Sequence, residues 1–237
     1  MRIAVVSDIH ANWQALEAVL GDCPAVDEVL CLGDVVGYGG DPRRCLDEVS
    51  ARKWPTLVGN HDRACVEPGI LPWFNEDAAR VIRWTAEKLG SKRLRWLKEL
   101  PEVSVSHDVL LVHGSPRDPV YEYILDGPSA EANLVMLESS VCFHGHTHVP
   151  GIFYFDAGEP SHLYQLGLVQ LRGPQLVNPG SVGQPRDGDP DASYGIWDVD
   201  ASTFEFRRVA YDREGAKAAI LSAGLPERFA GRLDVGR

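Results

Sequence analysis

The sequence predicts an α/β fold built on a parallel sheet. Its first 34 residues read as strand, helix, strand, and both strands are continuous apolar runs. A strand–helix–strand unit of about 30 residues marks a βαβ crossover. Continuous apolar strands are those covered on both faces. Beyond residue 103 the texture changes to short β-rich segments punctuated by Gly, Pro, Asp and Asn, so further strands are expected there.

In order, "RIAVVS" (2–7) is the first strand. "ANWQALEAVLGDC" (11–23) places Ala15, Leu16, Val19 and Leu20 at helical spacing, with Asn12 as N-cap and Gly21 as terminator. "EVLCLGD" (28–34) is the second strand, a helix is expected over 42–53, and "TLVGNHD" (56–62) repeats the strand pattern. "NEDAARVIRWTAEKLG" and "SKRLRWLKELP" are both helical, each with a cap-type residue in front and Gly or Pro at its end. "VSVS", "VLLVHG", "SVCFHGHTHVP", "IFYF", "LYQLGLVQL", "QLVNPGS", "SYGIWDVD" and "TFEFRRV" follow as short strands. A helix near 129–138 interrupts them, and a helix over 213–222 ends the chain. With no linker, repeat or low-complexity tract, one domain over residues 1–237 is expected.

Hydrophobic content of 44% and charged content of 24% are those of an ordinary soluble globular protein. No apolar run approaches the roughly 20 residues of a membrane helix. "MRIAVVSDIH" turns charged too soon for a secretory signal. The five cysteines are odd in number and form no CxxC pair, which points to free thiols in a reducing cytoplasm. A net charge of −11 argues against nucleic acid as a partner. A small phosphoester stays open, because a bound metal supplies positive charge locally. An apolar edge among the later strands also leaves a homo-oligomer open.

One feature recurs along the chain. Five predicted strands end in metal-capable residues: Asp8 with His10, Asp34, Asn60 with His61, His113, and His146 with His148. Ligand sites of parallel sheets lie beyond the carboxyl ends of the strands, so these scattered donors are expected to converge. Each piece alone has a plain structural reading. A lone His at a strand end is commonly a hydrogen-bonded core residue, and GD and GN are common turn pairs. "FHGHTHVP" (143–150) fits a polar loop as well as it fits a metal pair at i, i+2. Their conjunction at successive strand ends favours the metal.

DIH (8–10), GDVVGYG (33–39), GNHD (59–62), HG (113–114) and GHTH (145–148) resemble the five motifs of the calcineurin-like metallophosphoesterases, in that family's order. The resemblance runs from residue 1 to about 190, and "NPGSVGQPRDGDP" (178–190) is similar to the small bacterial phosphodiesterase branch. It implies a four-layer α/β/β/α sandwich with a dinuclear metal site at the carboxyl ends of the strands. It also implies that Asp8, His10, Asp34 and His148 hold one metal, and that Asp34, Asn60, His113 and His146 hold the other, with Asp34 bridging. His144 has no counterpart in the motif and reads as structural or as a support to the ligands. The donors are nitrogen and oxygen with no thiolate, which suits Mn, Fe, Zn or Co, with Mn or Fe favoured. Two divalent ions, two carboxylates and a bridging hydroxide leave about +1 to attract a phosphate. In the family the hydroxide attacks phosphorus in line. His61 is then the acid that protonates the leaving alkoxide, and Asp62 is placed to orient it.

The chain departs from the family's protein phosphatases and symmetrical diadenosine tetraphosphatases at the second motif. There GDxVDRG carries a phosphate-gripping arginine, and here Tyr38 stands in its place. Loss of that bidentate cation turns the expectation toward phosphodiesters or nucleotide-type esters. Arg186 replaces the clamp if the 178–190 loop folds over the metals; otherwise it is a surface arginine paired with Asp187 or Asp189. Trp73 and Phe74 either stack on a nucleobase or, as the preferred reading, staple the start of the following helix. Asn12 is an N-cap near enough to His10 for a phosphate contact. Asn12, Tyr38 and Arg186 are therefore the candidate substrate contacts. The rival readings are a phosphomonoesterase or protein phosphatase and, from another class, a non-catalytic scaffold. The complete ligand set favours an enzyme over the scaffold.

Overall fold

A computed structural model of the protein describes residues 1–137, 140–164 and 167–237. Strand β1 (Arg2–Val6), helix α1 (Trp13–Asp22) and strand β2 (Glu28–Cys31) form the expected unit, and β1 and β2 pair in parallel. Along β1, Ile3 and Val5 enter one apolar cluster while Ala4 and Val6 enter another, the two-residue period of a strand buried on both faces. Asn12 caps α1 by accepting the Ala15 N–H at 3.1 Å. The helix runs through Gly21 and leaves at Cys23 in an extended conformation (φ −60°), so the glycine does not end it.

Helix α2 (Pro42–Ala51) opens with proline in its first turn, where the missing N–H costs nothing. The segment 56–62 is not the expected strand. Thr56 makes an isolated parallel bridge to Cys31, and helix α3 (Asn60–Val66) begins inside the segment. The cause is local: Gly59 is the N-cap, and Asp62 in the first turn accepts its N–H at 3.2 Å. A 3₁₀ turn (Pro68–Trp73) leads to α4 (Glu76–Lys98), where the two expected helices run on with a break at Gly90 (φ 73°, ψ 166°).

The second half contains β3 (Val103–Ser106), β4 (Val109–Val112), α5 (Gly127–Leu134), β5 (Val141–Phe143), β6 (Gly151–Asp156), β7 (Glu159–Leu163) and β8 (Gly167–Gln170). It continues with β9 (Gln175–Asn178), β10 (Ala192–Asp198), β11 (Thr203–Val209), α6 (Arg213–Ser222) and α7 (Glu227–Val235). Residue 138 of the helix expected near 129–138, and residues 165 and 166 of the strand expected in "LYQLGLVQL", lie outside the described residues. The 213–222 helix is not the last element. In α7, Phe229, Ala230 and Leu233 fall at helical spacing and bury against Tyr38 and α6.

The strands form two sheets, ordered β2-β1-β10-β11-β8 and β3-β4-β5-β9-β6-β7. They face one another across Ile3, Val5, Leu111, Phe143, Val177, Trp197 and Phe204. Helices α1, α2 and α4 cover the outside of the first through Leu16, Val49 and Ile82, and α5 covers the second through Leu134. The result is the four-layer α/β/β/α sandwich. Each sheet contributes a parallel pair, β1 with β2 and β4 with β5, whose carboxyl ends carry the donor residues.

Candidate metal centre

Asp8 and His10 follow β1, Asp34 follows β2, His113 follows β4, His146 and His148 follow β5, and Asn60 opens α3. Asp8, His10, Asp34, His146 and His148 have positive φ, from 47° to 65°. That left-handed backbone costs a non-glycine residue about 1–2 kcal/mol and turns the chain sharply enough to aim neighbouring side chains at one place. Neighbouring glycines permit the close approach. A Cβ on Gly145 would stand 2.0 Å from Ser7 Oγ and 2.8 Å from Asp8 Oδ2. Gly145→Ala is therefore expected to displace Asp8, to cost about 1–3 kcal/mol of stability and to lower metal content. Calorimetry and metal analysis check this, and wild-type values in both would mean the contact yields freely.

The donors form two clusters. In one, Asp8, His10 and His148, and in the other, Asp34, His113 and His146, bring their ligand atoms within 4.8 Å of one another, and all six residues are buried. His10 Nε2 and His148 Nε2 are 3.0 Å apart and lie 3.8 and 3.3 Å from Asp8 Oδ1. His113 Nε2 lies 3.2 Å from His146 Nδ1 and 3.3 Å from Asn60 Oδ1. Asp34 Oδ2 stands between the clusters, 3.6 Å from His10 Nε2 and 3.5 Å from His113 Nε2. Two donors each about 2.1 Å from one ion sit roughly 3–4 Å apart, depending on the angle between them, so these spacings suit ligands of shared ions.

The imidazole protons point the same way. His10 Nδ1 donates to Val36 O at 3.1 Å, His113 Nδ1 to Leu32 O at 3.0 Å, His148 Nδ1 to Gln184 O at 2.6 Å, and His146 Nε2 to Tyr121 O at 3.1 Å. A carbonyl only accepts, so each ring commits a proton there and turns its other nitrogen into a cluster. Asp8 Oδ1, buried beside two of those nitrogens, has no hydrogen-bond partner among the described residues. Buried acceptors crowded together need a cation, and carbonyl-anchored imidazoles are the usual support of metal ligands. The residues fit a pair of divalent ions.

A family model, the calcineurin-like phosphoesterase superfamily domain, matches residues 1–202. The chain belongs to the calcineurin-like phosphoesterase superfamily. An uncharacterised protein of Methanocaldococcus jannaschii, MJ0912, is 36% identical over 244 residues, covering 99% of this chain and 98% of its own. The crystal structure of a metallophosphoesterase from Sphaerobacter thermophilus superposes with a TM-score of 0.90 at 42% identity, covering 100% of this chain and 99% of that one. A hypothetical protein from Pyrococcus horikoshii OT3, PH1004, shares the fold at a TM-score of 0.81 and 21% identity, with 100% and 98% covered. The superfamily uses divalent metals, and the two clusters are the candidate positions for them in this member.

In this calcineurin-like chain the charges are arranged for metal. Burial lowers His10 and His148, and lowers His146 to about 3, so all three are neutral donors at neutral pH. Against burial, Asp34 and Asp8 raise His113 to about 9, so without metal that ring carries a second proton, which a bound ion displaces. Burial opposes both carboxylates too. Yet the charged His113 ring holds Asp34 well below the usual carboxylate range.

His61 lies beside the clusters, its ring 4.9 Å from that of His10 and 4.4 Å from that of Tyr38, with Nδ1 unpartnered among the described residues. Asp62 does not orient it. The Asp62 carboxylate instead accepts the N–H groups of Val35, Val36 and Gly59 at 3.2, 3.1 and 3.2 Å, tying the loop after Asp34 to the start of α3. Consecutive helical residues project in different directions, which is why the two side chains part. Burial and Asp34 press the Asp62 carboxyl up to about 7, against those three donors.

The 178–190 loop lies over the site. Gly183 N–H donates to Asp8 O at 2.9 Å, and Arg186 N–H to His148 O at 3.2 Å. Arg186 does not take the surface pairing, because Asp187 and Asp189 both face Arg208. Asn12 has both ends of its side chain engaged, Oδ1 as the cap of α1 and Nδ2 on Gly183 O at 2.8 Å, and so ties the loop to the helix. Trp73 is not a staple: it is 73% exposed and touches Tyr121 edge-on at 5.7 Å. Phe74 is the residue that packs, its ring 5.2 Å from that of His61. Tyr121 and Tyr123 went unsignalled in the sequence. Tyr123 stacks on His146 at 3.7 Å. With Trp73 and Phe74 they line a cleft of about 290 Å³ that opens on Asn60, His61 and His146.

His144 belongs to neither cluster and lines a small cavity of about 40 Å³ together with His162. Burial lowers His162, stacked on Phe153 at 3.9 Å, to about 4. An unfolded histidine takes its proton near 6.5. Between about pH 6.5 and 4 the unfolded chain thus binds the extra proton, and this contribution to stability is full above that window and falls as the pH drops through it. Melting curves of wild type and His162→Gln should therefore converge as the pH falls from about 7.5 to 5. A constant or widening gap would contradict the assignment.

Proposed function

We propose that this chain is a dinuclear metal-dependent phosphoric ester hydrolase that prefers phosphodiesters or nucleotide-type esters to monoesters. The observation that supports it is the commitment of four imidazoles to backbone carbonyls, which turns the other nitrogen of each ring toward two carboxylates. Bound there, a pair of divalent ions, with Mn or Fe favoured by the donor set, supplies Lewis acidity and an acidified water. Asp34 would be shared between the ions, and Asn60 adds a neutral oxygen that preserves the site's positive charge. His61 holds a proton beside the position of the leaving oxygen. The aromatic cleft next to His61 is shaped for a flat leaving group. Tyr38 in place of a phosphate-gripping arginine favours a monoanionic diester over a dianionic monoester.

Three further features accompany this reading. No helix among the described residues is long and apolar enough to cross a membrane. All five cysteines are free thiols, which supports placement in a reducing cytoplasm. Phe229 of α7 packs on Tyr38 of the second motif, which supports one domain to the end of the chain.

The test is hydrolysis by purified protein after Mn²⁺ reconstitution, comparing bis-p-nitrophenyl phosphate, p-nitrophenyl phosphate and dinucleoside polyphosphates. The expected result is turnover that a chelator abolishes, with diesters or dinucleotides ahead of the monoester. Monoester preference would overturn the specificity. Two bound ions with no turnover on any substrate would favour the scaffold.

A further inference from the structure

The C-terminal hairpin sets a second guanidinium behind the Tyr38 ring that Arg186 covers, with Phe229 between them. Arg186 lies over the Tyr38 ring, Cζ to centroid 5.7 Å, with Nη2 3.4 Å from the Tyr38 hydroxyl and 3.2 Å from Gln184 Oε1. The Tyr38 ring rests 4.9 Å from Phe229 of α7. Arg232, one turn further along α7, holds its Cζ 5.7 Å from the Phe229 ring. On its other side Tyr38 meets the rings of His10 and His61 at 4.6 and 4.4 Å, so this stack of cation, aromatic, aromatic and cation adjoins the metal clusters.

Neither cation is neutralised. Among the described residues no carboxylate pairs with Arg186 or Arg232, and Arg186 Nε is buried without an acceptor. Neighbouring acids are taken elsewhere: Asp187 and Asp189 by Arg208, Asp234 by Lys217, Asp77 by Arg228. Burial, and then Arg186 itself, lower the pKa of Arg232, so the two guanidinium groups repel one another. In a chain of net charge −11 such a half-buried pair of like charges is an arrangement that an anion would relieve.

Charge counting says which anion. With ions bound, the clusters keep about +1, which one phosphodiester anion matches. The two arginines add a further +2, which matches a phosphate dianion. We propose that Arg186 and Arg232 form a subsite for a second phosphate group of the substrate, beyond the ester at the metal centre. The proposal rests on the phosphoesterase reading and narrows it to esters that carry a terminal phosphate or a phosphate chain. Guanidinium forks are suited to such groups, because they donate two parallel N–H bonds to phosphate oxygens.

The experiment needs no turnover. Inorganic phosphate is titrated calorimetrically into chelator-treated, metal-free protein at low and high salt, for wild type, Arg186→Gln, Arg232→Gln, Arg232→Lys and the double glutamine variant, each checked by its melting curve. Expected are saturable, salt-weakened binding, a loss of roughly tenfold in each glutamine variant, partial recovery in Arg232→Lys and no binding in the double variant. In metal-loaded enzyme the preference for a doubly phosphorylated ester over bis-p-nitrophenyl phosphate should fall by roughly tenfold in Arg232→Gln. Absence of phosphate binding to wild type, or equal binding by folded Arg232→Gln, would overturn the subsite. Failure of the phosphoesterase reading is separate, and shows only as absence of turnover in the loaded wild type.

Discussion

Asp34→Asn is expected to lose metal from both clusters, with affinity at each falling by more than about 100-fold, while the fold persists. The two carboxylate oxygens have different duties. Oδ1 accepts the His61 N–H at 2.9 Å, a bond that an asparagine oxygen retains. Oδ2 faces His10 Nε2 and His113 Nε2 at 3.6 and 3.5 Å, one in each cluster. Asparagine would place an NH₂ donor there, remove the shared negative charge and fill the metal positions with amide hydrogens. Asp8 makes the contrast. Its bare Oδ1 faces only His10 and His148, so Asp8→Asn should release one ion and keep the other. Metal analysis after Mn²⁺ reconstitution and dialysis distinguishes the cases. Normal metal content in Asp34→Asn would remove the bridging role, and loss of one ion alone would assign Asp34 to a single cluster.

The ligands were legible because each follows a strong apolar strand or sits beside a glycine that lets two segments approach closely. Gly145 is such a glycine, pressed against Ser7 and Asp8. The helix at Asn60 was missed because "TLVG" looks like a strand, whereas the capping by Asp62 that starts the helix acts through backbone N–H groups. The same backbone preference misled the reading of Asp62 as a partner for His61. Three amides from two segments claim that carboxylate, and no side-chain pattern records where amides converge. Gln184 holds His148 through its carbonyl, which any residue could supply, so its position is not written in its identity. Helix α7 is absent from the sequence reading although Phe229, Ala230 and Leu233 stand at helical spacing, and its meeting with Tyr38 depends on tertiary packing across nearly the whole chain.

His61→Ala should leave both clusters filled, yet slow esters of poor leaving groups by about 10²–10⁴-fold and p-nitrophenyl esters by roughly tenfold or less. His61 is in neither cluster and lines the cleft beside Asn60 and His146, so its ring is placed to carry a proton there. Its pKa resists that role at first sight. Burial, Arg186 and His148 lower it to about 4 despite Asp34, which leaves a neutral ring at pH 7. A phosphodiester anion in the cleft adds negative charge beside the ring and raises its pKa relative to the same site without the anion. The sign follows. With a poor leaving group, kcat should fall as the pH rises through that raised pKa, and the alkaline limb should vanish in His61→Ala. Equal losses for both leaving groups with the limb retained would remove the acid role. His61 would then keep only its backbone duty, the N–H that fixes Asp34 Oδ1 at 2.9 Å.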